Sequence, residues 1–214
     1  MLSMPLLPPW LTVAWSLALM AVVAIHVHHC RTMTGQVRWW HLMHTAMGIG
    51  MVAMYVLPVI SNATLAWSGL AIFAALTAAL LLTTVLQFRR EGALNPLWLA
   101  TSIDMAAMAY MFLPMNAQPL LLTWVVIAYL AAHALVWLCD VWARAGSFTL
   151  ADPPGEPLPP SGGAGTAVVQ RRSLGLSGKV DLSVRITLAV MAASMGYMLL
   201  AMGPTASMAP MPGM

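Results

Sequence analysis

Apolar residues run through this chain in six long blocks: roughly Trp10–Cys30, Trp39–Pro58, Leu65–Phe88, Leu97–Pro114, Leu120–Asp140 and Ser183–Met202. Each block is near the ~20 residues that a helix needs to cross a bilayer. The pattern therefore predicts an all-α, polytopic membrane helix bundle with six transmembrane helices. Short polar or proline-containing turns part the blocks, with one exception. The gap from Val141 to Leu182 contains ADPPGEPLPPSGGAG, which is too rich in Pro and Gly to pack and reads as a disordered loop. The expected plan is a five-helix membrane region over 1–140, a Pro/Gly-rich cytoplasmic loop over 141–182, a sixth transmembrane helix over 183–203 and a Met-rich external tail over 204–214.

Composition supports the same class. Hydrophobic residues make up 61% of the 214 and charged residues 7%, against about 25% charged in soluble domains. The lipid bilayer is the first partner this implies, and the cell (plasma) membrane the location. The N-terminal MLSMPLLPPW has no Lys or Arg, so the first apolar block is expected to stay as a helix and not to be cleaved. Under a six-helix count all nine basic residues fall on alternate loops or helix ends. By the positive-inside rule that side is the cytoplasm, which gives an N-out/C-out topology. The basic residues are scattered, so no nucleic-acid surface is expected. Cys30 and Cys139 make no disulfide framework. The nine tryptophans fall near predicted helix ends, as two interfacial belts would place them.

Candidate chemistry enters with methionine. In the second block Met43, Met47, Met51 and Met54 fall within roughly an 80° arc of a helix. The fourth block carries Met105, Met108 and Met111, and the sixth Met191, Met195 and Met198. The spacing Met47–Met51–Met54 recurs unchanged as Met191–Met195–Met198. Counted from the inner helix ends, the three sets occupy matching depths over about 10 Å of mid-membrane. Two readings follow. Methionine can simply pack helices, being flexible and apolar. It can also offer thioether sulfur, in layers, to a soft ion such as Cu(I).

Ionisable groups add two further features. The first block ends in His26, His28, His29 and Cys30, and the second begins with His41 and His44. A short connection makes these helices antiparallel neighbours, so the two sets should meet as a cytoplasmic His/Cys metal site. Deeper in, Asp104 is the only carboxylate well inside a predicted span. His133 lies at a similar depth on the next helix, so the two are expected to pair, either as a proton relay or as a helix-pairing contact.

The stretches HLMHTAMGIGMVAMYVLP and MAAMAYMFLP resemble a family of multi-pass, Met/His-rich integral membrane proteins of high-GC actinobacteria. That resemblance implies a membrane fold and no particular activity. A chemical analogy with copper-uptake channels rests on the outer Met-rich tail, the Met ladder and the His/Cys cluster alone. No nucleotide-binding or zinc-hydrolase signature is present, and the chain reads more as a binding protein than as an enzyme. Three functions fit. The first is binding or transport of a soft metal ion, most readily copper as Cu(I), through the Met ladder and the His/Cys site. The second is a haem- or quinone-linked redox protein, with His26 and His44 at similar depth as axial ligands. The third is a non-catalytic subunit of an envelope-assembly complex, and either a homo-oligomer or a membrane complex is compatible with all three.

Overall fold

In the computed structural model, residues 8–57, 59, 62–91, 96–139, 141 and 182–202 are described. They form α1 (Pro9–Thr32), α2 (Gly35–Val56), α3 (Ala63–Glu91), α4 (Pro96–Met111), α5 (Leu120–Leu138) and α6 (Leu182–Met202), with a 3-10 turn at Met115–Ala117. No strand occurs among the described residues. The predicted Pro/Gly-rich loop, apart from Val141 and Leu182 at its ends, and the Met-rich tail lie outside the described residues.

Local chemistry explains the helix ends. Pro9 opens α1, where a missing N–H costs nothing. Only Met33 and Thr34 part α1 from α2, and Gly35 takes φ 64°, a left-handed conformation that favours glycine at this turn. α4 stops at Met111, three residues short of the expected end. Pro114 disfavours helical backbone in the residue before it, and the chain passes into the 3-10 turn.

The helices pack chiefly as successive pairs: α1 on α2, α3 on α4, and α5 on α6. α6 also touches α1, and α2 touches α4. Small residues let the pairs close on one another. A side chain at Gly48 would run into Val23 of α1, and one at Gly50 into Phe73 of α3 and Met108 of α4. α2 is thus clasped from two sides, and close helix approach of this kind depends on residues without bulk.

Four helices, α1, α3, α5 and α6, are long and apolar enough to cross a membrane. The 16 residues of α4 rise only about 24 Å, less than a ~30 Å hydrocarbon core. α2 is long enough but carries Gln36, Arg38, His41 and His44.

Methionine is the commonest residue type in the core. Met47, Met51, Met105, Met108, Met111, Met191, Met195 and Met198 are all buried in one cluster, and Met54 packs partly buried against it. All three stripes therefore turn inward. The tryptophans divide: Trp10, Trp39, Trp67 and Trp124 are exposed, while Trp40, Trp98 and Trp137 are core residues. These last three lie near helix ends and also pack in the core.

Candidate functional site

The stripes of α2 and α6 meet at one small cavity. It has room of about 10 Å³, that of a single water-sized sphere. His44 and Met47 from α2, Asp104 from α4, His133 from α5, and Met191 and Met195 from α6 line it, with Leu188 and Ala192 completing the wall. Of the nine ladder methionines, three thus reach this cavity. Met51, Met105, Met108, Met111 and Met198 are buried elsewhere in the core, and Met54 lies at its edge.

Helix geometry sets the donors. His44 donates its Nδ1 proton to the carbonyl of Trp40, one turn back, at 2.8 Å. That bond fixes the tautomer and leaves Nε2 as the lone-pair nitrogen. Asp104 accepts a hydrogen bond from the Tyr129 hydroxyl on Oδ1 at 3.0 Å, and its Oδ2 lies 3.3 Å from Nε2 of His133. The expected meeting of Asp104 and His133 is therefore direct, across α4 and α5. The indole N–H of Trp137 also points at His133 Nε2, at 2.9 Å. One ring nitrogen cannot accept from the indole and donate to the carboxylate together, so only one of the two contacts is a hydrogen bond in a given protonation state of His133. Tyr129 and Trp137 were not singled out from the sequence. Their signal was their position four residues before and after His133, which places all three on one stripe of α5.

The histidines at the α1–α2 end are arranged as a file. Ring centroids are 5.9 Å apart for His28 and His29, 4.7 Å for His29 and His41, 5.1 Å for His41 and His26, and 5.5 Å for His26 and His44. His26 and His41 approach Nδ1 to Nδ1 at 2.9 Å, one donating to the other. Burial deepens along the file: His28 is exposed and His29 half-buried, while His41, His26 and His44 are buried. Nε2 of His26 and Nδ1 of His29 are buried without a hydrogen-bond partner. Among the described residues no group of three or more His, Cys, Asp or Glu side chains is arranged to hold a metal ion. Cys30 stands apart, its Sγ 3.7 Å from the Arg38 carbonyl and 3.9 Å from Thr45 Oγ1. Cys139, exposed at the end of α5, joins no such group either.

Fold and site together define an all-helical bundle with a methionine core and a buried His/Asp/Met cavity, in which four helices have the length and apolarity to cross a membrane. The chain belongs to the family described as Domain of unknown function (DUF5134), which it matches over residues 36–202. That span contains every residue lining the cavity, while α1, with His26, His28 and His29, precedes it. No curated protein and no solved structure matches the chain.

Proposed function

We propose that this chain is an integral protein of the plasma membrane, its six helices crossing with both ends outside, and that it binds a soft monovalent metal ion, Cu(I), at the cavity between α2, α4, α5 and α6. One observation carries the reading: three methionines, two histidines and one aspartate from four different helices line a space the size of a single small sphere. Thioether sulfur selects Cu(I), and imidazole suits copper as well. Asp104 would balance the single positive charge, which a buried ion requires. His44 supplies a lone pair through Nε2, while Met47, Met191 and Met195 supply sulfur without adding charge.

The same cavity does not fit haem, because a porphyrin needs far more room than one water-sized sphere. The copper reading is tested by titrating the purified protein in detergent with Cu(I) under reducing conditions. One ion per chain is expected. A Met191→Leu, Met195→Leu double variant keeps core volume, at under about 1.5 kcal/mol per swap, and should fold yet lose the ion. Absence of copper from the parent protein, or an unchanged stoichiometry in the folded double variant, would overturn the proposal.

A further inference from the structure

The five histidines at the α1–α2 end are too strung out to make a cage. The ring-to-ring approaches among them run in the order His28, His29, His41, His26, His44. The file starts at an exposed side chain and ends at a wall of the cavity. We propose that this file is the path along which a soft monovalent ion moves between the α1–α2 connection and the cavity, handed from one pair of imidazoles to the next. The inference rests on the copper-binding reading of the cavity and adds its route.

Three observations support it. The first is continuity, since no step between ring centroids exceeds 5.9 Å. The second is the unpartnered nitrogens. A buried polar atom without a partner is uncommon in a folded protein, yet His26 is fully buried and its Nε2 has none, and Nδ1 of His29 has none either. An ion in passage gives these nitrogens a partner. The third is the absence of a deep well. Pairs of imidazoles bind a soft ion less firmly than a closed set of three or four donors, and movement requires sites that an ion can leave. Trp40 flanks the file, 4.1 Å from His44 and 5.0 Å from His41 between ring centroids, and helps to wall it.

The test separates rate from capacity. Purified full-length protein in detergent is mixed rapidly with Cu(I) held by a weak chromophoric chelator, and ion transfer is followed by absorbance. His26→Phe removes both ring nitrogens from the middle of the file and leaves every cavity donor in place. The expected result is an unchanged one-ion stoichiometry with loading slowed by about tenfold or more, a rise of about 1.4 kcal/mol in the barrier. Loading at the parent rate would overturn the route while leaving the cavity reading intact. If the parent protein takes up no Cu(I), the cavity reading falls and the route with it. Should His26→Phe fail to fold, His29→Ala, at a half-buried position, decides instead: slowed loading supports the route, and the parent rate overturns it.

Discussion

α3 and α6 are both apolar enough to cross a membrane, yet they occupy opposite places in the bundle. In its most apolar stretch α6 has 61% of its residues buried, and α3 has 17%. The difference lies in which apolar residues each uses. α3 spends Leu81, Leu82, Val85 and Leu86 on an exposed face, touching the bundle through residues such as Phe73 and Leu80. α6 carries methionine, which α3 lacks, and buries Met191, Ala192, Ser194, Met195, Met198 and Leu199. Hydropathy alone does not distinguish lipid-facing from protein-facing helices, because lipid is as apolar as a core. Methionine does here, since its flexible, polarisable side chain fills the gaps between packed helices.

That contrast can be broken by substitution. The largest effect is expected for Leu199→Ala in α6, where the side chain is fully buried. Such a truncation costs about 2–5 kcal/mol, read as a fall in the unfolding midpoint in detergent. His133→Leu comes next. It takes the imidazole away from Asp104 Oδ2, and leaving a buried polar atom unsatisfied costs about 1–3 kcal/mol. Tyr129→Phe removes only the hydroxyl that bonds Asp104 Oδ1, for about 1 kcal/mol, and should leave the helix packing intact. The smallest effect is expected at Leu82→Ala in α3, an exposed position, within about 0.5 kcal/mol. If Leu82→Ala destabilised as much as Leu199→Ala, α3 would have to be covered by protein in the functional assembly, and the distinction between the two helices would fail.

Much of the fold was legible along the chain. The apolar blocks lie within four residues of the observed helix ends on each side, because the length and punctuation of an apolar run are local properties. The inward turn of Met47, Met105 and Met191 was legible as helical spacing. What was not legible depends on how helices rotate against one another. His26, His28, His29, His41 and His44 were expected to gather around one ion. They form a row, because the α1–α2 pair brings His26 against His41 and places His29 on the outer side of it. That only Met47, Met191 and Met195 of the three stripes line the cavity is equally a matter of packing, and equal spacing on three helices did not foretell it. Asp104 and His133 were found from depth alone, since an intramembrane carboxylate needs a partner and few are available.

Arg185 has a consequence for how this protein could change over evolution. Near the start of α6 it donates to the carbonyls of Trp137 and Leu138 at the end of α5, through Nε at 3.2 Å and Nη2 at 2.8 Å. The guanidinium thus joins two helix ends that are more than forty positions apart in the chain, and it places a positive charge at the end of α5 where backbone carbonyls gather. Doubling the connection between such ends costs only about 0.6 kcal/mol in closure entropy, less than hydrogen bonds to a charged group contribute at about 1.5–3 kcal/mol. Added sequence between α5 and α6 is therefore thermodynamically cheap, and a binding module or modification site inserted there would leave the cavity's α5–α6 wall in register.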